Sequence, residues 1–446
     1  MKKYWIETYG CQMNKAESEW LENELRQVGW SRAPGAEGAD LVILNTCSVR
    51  QTAENRIWGR LGFYKREKTK RPFKLAVMGC MGERLKQELL KQAQHVDILV
   101  GNFRKKDFIS AVSAEVRGGL DPDKPLLLTE GGEYVFGELH SVSGFKAYIP
   151  IMHGCNNFCS YCIVPYVRGR EVSRNPDSIM AEISRLEKKG IREVTLLGQN
   201  VNSYCYNGDS REQDFHLNFS GLLERINYNL KERNSLVERL RFLTSHPKDL
   251  SDELIELMSG DTLLCRHIHL PVQHGSNKIL KSMERGYTRE EYLSLVQRIK
   301  NSITNVSLTT DILIGFPGEE EEDFKATLDL MEAVGFDNAF TYRYNPREGT
   351  KAFSMEDTVP SEVKQERLAS VIELQSRTRK GLQRAKTGRV VKVLVEGTSK
   401  RNKRELLARM GSDEMVVFPG SGKQIGSFTR VELLSLKGNT FTGKEI

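Results

Sequence analysis

The chain has 446 residues, of which 39% are hydrophobic and 28% are charged, and this length predicts two to four domains. No apolar run approaches the ~18 residues of a membrane span, so membrane-spanning and disordered proteins are excluded as classes. The net charge of +7 lies entirely in residues 383–446, which hold 13 Lys and Arg against 6 Asp and Glu. We therefore expect any contact with a polyanion in this segment, the alternative being an ordinary solvated basic surface.

Residues 1–117 alternate short apolar strands with amphipathic segments of helical length. Strands are predicted at Lys3–Thr8, Leu41–Asn45, Lys74–Met78 and Val96–Val100, and helices at 14–29, 50–67, 83–94 and 104–116. Such alternation predicts an α/β domain with a parallel sheet covered by helices. Residues 118–144 are rich in Gly, Pro and Asp without sustained periodicity, and we predict a linker there.

The alternation resumes with longer units in a second domain, predicted over 145–378. Its six strands are predicted at Ala147–Met152, Glu193–Leu197, Leu240–Thr244, His267–Val272, Ser307–Ile314 and Ala339–Tyr344. Polar residues follow nearly every strand, which favours a partial (βα)6 barrel over an open doubly wound sheet. A charged helix is predicted over 361–386, and β-branched runs with glycine punctuation predict a small β-barrel within 379–446.

The N-terminus, MKKYWIETYGC, has no hydrophobic signal segment, so we expect a cytoplasmic protein. In a reducing compartment the eight cysteines are metal ligands or reactive thiols more often than disulfides. The clearest group lies in His153-Gly-Cys155-Asn-Asn-Phe-Cys159-Ser-Tyr-Cys162, after the first barrel strand. Three thiolates on one loop can hold three irons of a [4Fe–4S] cluster and leave the fourth iron open for reaction. The alternative is zinc, completed by His153 or a distant cysteine.

Three further cysteines each follow a predicted strand of the first domain. Cys11 follows IETYG, Cys47 follows LVILNT and Cys80 follows LAVMG. The carboxyl ends of parallel strands meet at one edge of a sheet, so these thiols are expected to converge on a second three-thiolate site. The alternative is that small buried thiols suit strand ends. Cys205 and Cys265 have no comparable partners, and we expect both to be structural.

The cysteine loop at the head of a βα barrel resembles the signature of the radical S-adenosylmethionine (SAM) superfamily. The order of a three-cysteine domain, a radical SAM barrel and a C-terminal β-barrel resembles its methylthiotransferases, whose last domain is called TRAM. The stretches that carry the resemblance are TYGCQMNKAESE, NTCSVRQTAENR and GCNNFCSYCIVPYVRGREVSR. The first and third are most similar to the branch that modifies isopentenylated adenosine beside the anticodon of tRNA.

The resemblance implies two [4Fe–4S] clusters and two uses of SAM. Cys155, Cys159 and Cys162 would hold the catalytic cluster, which binds SAM and cleaves it to a 5′-deoxyadenosyl radical that abstracts hydrogen from adenine C2. Cys11, Cys47 and Cys80 would hold an auxiliary cluster carrying the sulfur that is methylated and transferred. Alternative substrates are an aspartate of a ribosomal protein or threonylcarbamoyl-adenosine in tRNA. An alternative of another class is a non-catalytic, metal-stabilised RNA-binding protein.

Other positions follow from the same resemblance. The predicted SAM-binding residues are Tyr161, Gln199, Asn200, Ser245 and His246; a packed core aromatic is the alternative for the first and helix caps for the others. Asp311 departs from the superfamily, which often has glycine at that place.

The predicted substrate contacts are Arg168 and Arg170, for which surface ion pairs are the alternative, and the basic loop Lys400, Arg401, Lys403 and Arg404. Expected partners are the tRNA anticodon arm and an electron-donor protein. The sulfur donor is left open, and we expect a monomer.

Overall fold

The computed structural model describes residues 2–48, 51–115, 125–139, 144–208 and 216–446. The first domain consists of β1 (Lys3–Thr8), α1 (Gln12–Gln27), β2 (Ser31–Arg32), β3 (Leu41–Thr46), α2 (Gln51–Lys68), β4 (Lys74–Gly79), α3 (Cys80–Leu85), α4 (Gln87–Gln92), β5 (Ile98–Val100), α5 (Lys105–Glu115) and β6 (Leu126–Leu128). All strands pair in parallel, in the order β2-β1-β3-β4-β5-β6. Every residue of the central strand β3 is buried, as expected for a sheet with both faces covered.

Two features of this domain differ from the sequence predictions. The helix predicted over 83–94 is two short helices, because Lys86 has a positive φ of 45° that interrupts the helical backbone between α3 and α4. Strand β6 lies inside the predicted 118–144 linker and extends the sheet beyond β5. Its three leucines are only half buried. A three-residue strand at a sheet edge is too short to show a period, so composition alone suggested a linker.

The second domain is built from parallel strands separated by helices, with two small antiparallel additions. Its elements are β7 (Lys146–Pro150), β8 (Met152–His153), α6 (Val164–Arg168), β9 (Val172–Ser173), α7 (Pro176–Glu187), β10 (Glu193–Leu197), β11 (Cys205–Asn207), β12 (His216–Asn218), α8 (Phe219–Glu232), β13 (Arg239–Phe242), α9 (Asp252–Ser259), β14 (His267–His269), α10 (Asn277–Ser282), α11 (Arg289–Ser302), β15 (Ser307–Ile314), α12 (Glu321–Val334), β16 (Asn338–Arg343) and α13 (Ser361–Arg384).

The six predicted barrel strands are all present, in the order β7-β10-β13-β14-β15-β16. A bridge between Leu240 and Leu264 joins the two halves. Within the described residues no pairing closes β16 onto β7, so the barrel is partial, as predicted. Strands β13 and β14 end two and three residues earlier than predicted. Thr244 has a φ of +71° after β13, and Pro271 has no N–H to continue the ladder after β14.

The C-terminal domain is a closed five-stranded barrel. Its strands are β17 (Val390–Thr398), β18 (Glu405–Met410), β19 (Met415–Pro419), β20 (Phe428–Lys437) and β21 (Thr440–Glu445), in the order β17-β18-β19-β21-β20. The predicted small β-barrel is therefore confirmed, although only three of its strands were predicted, at Val390–Val395, Met415–Phe418 and Phe428–Leu436. No helix among the described residues is long and apolar enough to cross a membrane.

This C-terminal barrel closes the amino-terminal end of the larger barrel. Arg241, near the start of β13, donates hydrogen bonds to the carbonyl oxygens of Met410 at 2.6 Å and Gly411 at 3.0 Å. Arg239 donates to the carbonyl of Arg409 at 3.1 Å. The carboxyl ends of the strands, where the cysteine loop lies, therefore form the opposite, open end.

Candidate active site

The barrel cysteines lie on a loop that follows β8 at the carboxyl end of the strands. The loop is held by hydrogen bonds from the Cys155 amide to the Gly169 carbonyl at 3.1 Å and from the Cys162 amide to the Cys159 carbonyl at 2.9 Å. Gly154 has a φ of +82°, and a Cβ there would stand 2.0 Å from the Arg170 carbonyl oxygen. Only glycine fits this close approach of two backbones, which fixes where the first cysteine emerges.

A buried arginine marks the same loop. The Arg285 guanidinium, 4% exposed, donates from Nη1 to the Cys159 sulfur and to the Tyr161 hydroxyl, both at 3.3 Å. Burial raises the pKa of the Cys155 thiol to about 11 and that of Cys162 to about 12. Metal binding would therefore release protons from these thiols. No sequence pattern pointed to Arg285, because it lies more than 120 residues from the loop.

The three N-terminal cysteines occupy the predicted edge of the first sheet. Cys47 and Cys80 directly follow β3 and β4, which are paired neighbours, and Cys11 follows β1 on the other side of β3. A Cβ added to Gly10 would stand 2.8 Å from the Cys47 Cβ. The three strand ends thus lie side by side at one edge of the sheet, and a cluster bound there stays a prediction.

Asn14, the asparagine of TYGCQMN, links the strand ends at this edge by hydrogen bonds. Its Oδ1 accepts hydrogen bonds from the Cys11 amide at 3.3 Å and from the Cys11 thiol at 3.2 Å. Its Nδ2 donates to the Asn45 Oδ1 and the Thr46 carbonyl, both at 3.0 Å. One buried side chain thus holds the ends of β1 and β3 in register, a role that the sequence did not reveal.

The donor geometry fits clusters better than a single ion. Among the described residues, no three His, Cys, Asp or Glu side chains lie close enough to bind one metal ion together. Tetrahedral zinc needs four such donors, whereas in a cubane each cysteine binds a different iron. His153, the proposed fourth zinc ligand, stacks on Tyr134 with ring centroids 3.4 Å apart, and its Nδ1 faces Arg168. His153 is therefore already packed against an aromatic ring, which disfavours it as a fourth zinc ligand; zinc completed by a distant cysteine stays the alternative.

The two triads face one interface between the domains. Cys80 packs against Ile163 and Val167, and Ile163 directly follows Cys162. Asn102 donates to the Val167 carbonyl at 2.7 Å and to the Cys80 sulfur at 3.8 Å. Cys80 of the N-terminal triad thus contacts the residue that directly follows Cys162.

Three of the predicted SAM-binding residues present buried polar atoms without a partner in the described structure: Asn200 Oδ1, Ser245 Oγ and His246 Nε2. The His246 Nδ1 accepts from the Lys248 amide, so the proton lies on Nε2. Burial, with Arg285 and Lys248 nearby, lowers the pKa of His246 to about 2, so the ring is neutral. These groups at the ends of β10 and β13 suit a polar ligand.

Gln199 and Tyr161 are placed differently. The Gln199 Oε1 accepts from the Gly154 amide at 2.7 Å and so braces the cysteine loop. The Tyr161 ring packs against a small apolar cluster that includes Phe316 and Tyr344, which agrees with the packed-aromatic alternative. Ligand contacts by either residue stay predictions.

The predicted substrate arginines separate into two classes. Arg170 is exposed, with its guanidinium 4.3 Å from the centre of the Phe158 ring. Arg168 is only 3% exposed and pairs with Glu17 at 3.0 Å, so its surface ion-pair alternative is wrong and an RNA phosphate is out of its reach. The local sequence VPYVRGR does not indicate that Arg168 is buried, because its partner Glu17 lies on α1.

The basic loop is exposed between two strands, as predicted. It joins β17 to β18 and presents all four basic side chains to solvent: Lys400, Arg401, Lys403 and Arg404. The other end of β18, at Met410, contacts the closed end of the large barrel. The loop therefore points away from the cysteines, which the sequence had not indicated.

The remaining two cysteines differ from each other. Cys265 is buried, as expected for a structural residue. Cys205 is exposed on the β11–β12 hairpin, with its sulfur 3.2 Å from the His216 Nε2, and its structural role stays a prediction. The cause of its exposure is the small hairpin, which projects the residue outward instead of continuing β10.

Comparison with known proteins agrees with this architecture. The chain matches three family models: "uncharacterized protein family UPF0004" over residues 3–101, the radical SAM superfamily over 149–331 and the TRAM domain over 384–444. Among solved structures, the radical SAM methyltransferase TsrM of Kitasatospora setae, with cobalamin and a [4Fe–4S] cluster bound, superposes with a TM-score of 0.60. It is 15% identical and covers 79% of this chain and 77% of its own, a likeness of fold alone.

Curated relatives cover the whole chain. A tRNA-2-methylthio-N(6)-dimethylallyladenosine synthase of Treponema denticola is 47% identical over 98% of both chains. One of Clostridium botulinum is 43% identical over 100% of this chain and 97% of its own. With the two cysteine triads and the C-terminal barrel in place, the chain belongs to the tRNA-2-methylthio-N(6)-dimethylallyladenosine synthase family of radical SAM methylthiotransferases.

Proposed function

We propose that this enzyme methylthiolates C2 of N6-isopentenyladenosine next to the anticodon of tRNA, using two SAM molecules and two [4Fe–4S] clusters. The observation that carries the proposal is the pair of cysteine triads facing one interface, with Cys80 packed on Ile163. Cleavage of SAM requires one triad only. A second cluster with an open iron would bind the sulfur before its transfer.

The residues of the chain divide the work between the two domains. Cys155, Cys159 and Cys162 would hold a cluster that would supply the electron for cleavage of SAM and thus for radical chemistry at adenine C2, and Cys11, Cys47 and Cys80 would hold a cluster that would supply sulfur. Arg285 places positive charge on the first triad through Cys159. Neutral His246 donates from Nε2 without adding charge, and Ser245 beside it offers a hydroxyl. These buried groups bind and orient a polar ligand while excluding water.

The names of the relatives favour the isopentenylated tRNA substrate over the alternatives. A ribosomal-protein aspartate and threonylcarbamoyl-adenosine stay as less favoured substrates of the same chemistry. Because adenine C2 is on the edge of a stacked base, the nucleotide must turn out of the anticodon loop to reach the barrel mouth. The exposed Arg170, beside the cysteine loop, is proposed to contact the RNA there.

We further propose a cytoplasmic monomer that receives electrons from a separate donor protein. The sulfur donor is left open. The basic loop at 400–404 is proposed to contact the tRNA backbone, since its exposed cations have no base-reading geometry and favour phosphates.

Mass spectrometry of tRNA nucleosides tests the proposal directly. Cells that lack the protein should accumulate isopentenyladenosine without its 2-methylthio group, and the wild-type gene should restore it. A matched pair of complementing genes, each with one cysteine triad changed to Ala, should both fail. Unchanged 2-methylthio nucleosides in the cells that lack the protein, together with a lost ribosomal-protein modification, would move the proposal to the alternative substrate.

A further inference from the structure

A buried group of charges lies beside the N-terminal triad and has no role in the reaction described so far. It consists of Glu17 on α1, Lys105 on α5 and Arg168 at the end of α6, and we call it the Glu17 cluster. The Glu17 Oε1 lies 3.0 Å from Arg168 Nη1 and 2.6 Å from Lys105 Nζ. All three residues are at most 6% exposed. Burial would raise the pKa of Glu17, but the two cations hold it at about 2. Burial lowers the pKa of Lys105, and Glu17 opposes that shift. With both cations protonated, the cluster carries one net positive charge.

The Glu17 cluster adjoins the cysteines on two sides. Val167, the neighbour of Arg168, packs on Cys80, and Asn102 links the Val167 carbonyl to the Cys80 sulfur. Burial opposes the charge on Arg168, yet the Cys80 thiol, Glu17 and the Cys11 thiol together raise its pKa well above the usual value. Arg168 is thus the chain neighbour of a residue that contacts Cys80.

Several buried polar atoms of this region have no partner among the described residues. They are Glu17 Oε2, Arg168 Nη2, His153 Nε2 and Asn102 Oδ1. An unpaired buried donor costs about 1–3 kcal/mol, and more when it is charged. A cluster with three thiolates is negatively charged and rich in sulfur acceptors, so it would offer the guanidinium the partner that the protein alone does not.

We infer that Arg168 and Lys105, held in place by Glu17, are positioning residues that neutralise the negative charge of the N-terminal cluster and raise its reduction potential. A nearby cation stabilises the reduced form, which carries one more electron, over the oxidised form. The inference rests on the proposed function only in requiring a cluster on Cys11, Cys47 and Cys80.

The test uses full-length protein in which Cys155, Cys159 and Cys162 are changed to Ala, so that only the N-terminal cluster reports. The midpoint potential is measured by a redox titration followed by electron paramagnetic resonance. Arg168→Met removes a cation and should shift the potential negative, whereas Glu17→Gln removes an anion and should shift it positive. The double variant keeps the net charge and should return close to the starting value. Arg168→Lys should restore most of the shift.

A matched control is Arg239→Met, which breaks a buried ion pair with Glu193 at the closed end of the barrel and should leave the potential unchanged. If the protein holds about four irons per chain but Arg168→Met and Glu17→Gln shift the potential in the same direction, or not at all, this inference is overturned and the proposed function is not. No iron in the Cys→Ala background would overturn the proposed two-cluster function and the inference with it. If Arg168→Met does not fold, the inference is tested by Glu17→Gln, which should shift the potential positive, and by Arg168→Lys, which should keep it close to the starting value.

Discussion

Replacing the four cations of the basic loop (Lys400, Arg401, Lys403 and Arg404) with Ala should weaken binding to whole tRNA but not to a short anticodon stem-loop. The loop precedes β18, whose other end contacts the amino-terminal end of the large barrel, whereas the cysteine loop lies at the carboxyl end of the barrel strands. Strand β15 has eight residues and β18 has six, which span about 26 and 20 Å at ~3.3 Å per residue. The loop is therefore up to about 45 Å from the barrel mouth. We therefore predict that a contact there falls on a part of the tRNA distant from the anticodon, whereas the expected contact with the anticodon arm itself predicts equal losses for both RNAs.

The size of the effect follows from counterion release. Four phosphate contacts contribute up to about 3.6 to the slope of log affinity against log salt. Raising the salt from 50 to 200 mM should therefore weaken binding of the wild type by a factor up to about 150 times larger than the factor for the variant. Fluorescence anisotropy with both RNAs over that salt range measures the two slopes. Iron content and SAM cleavage without RNA serve as controls. Equal losses for the stem-loop and the whole tRNA would refute the placement, and unchanged slopes for both would refute the contact.

Four further predictions concern the two triads and the domain contacts. Changing Cys11, Cys47 and Cys80 to Ala should lower the iron content from about eight to about four per chain and keep 5′-deoxyadenosine formation, with no methylthiolated product; iron analysis and product assays check this. Gly154→Ala should lose the barrel cluster alone, seen as a halved iron content with unchanged circular dichroism, because its Cβ would meet the Arg170 carbonyl. Arg241→Met should lower the free energy of unfolding by about 1–3 kcal/mol for each carbonyl left unpaired, which thermal unfolding measures. Glu17, whose pKa falls to about 2 on folding, stabilises the iron-free protein above pH 4.5 and loses this effect as the pH falls. Glu17→Gln should therefore show a flatter acid limb in unfolding curves measured against pH, and an equally steep limb would contradict the assignment.

The sequence revealed the parts of the site that depend on local pattern. Cys47 and Cys80 directly follow apolar strands, so the strand pattern alone predicted that they lie at the same edge of the sheet. The spacing of Cys155, Cys159 and Cys162 likewise sets a three-thiolate loop without knowledge of the fold. The six barrel strands were found because each is an apolar run with a polar end.

The parts that the sequence did not reveal depend on distant partners. Arg285 contacts Cys159 from 126 residues away, and Arg168 is buried against Glu17 of a different domain. Similarly, β18 reads as a charged segment, ELLARM, until pairing with β17 and β19 buries its alternate residues. No local pattern records such contacts, since burial and charge pairing are decided by packing between elements.

The closure of the large barrel by the C-terminal one affects how deletion experiments should be interpreted. Arg239, Arg241 and Glu193 are nearly fully buried beneath the smaller barrel, and a chain ending before residue 385 would leave both guanidinium groups without their backbone acceptors and open to water. Such a shortened protein would lose tRNA affinity and conformational stability together. Point changes on the exposed loop separate the two effects, whereas domain removal confounds them.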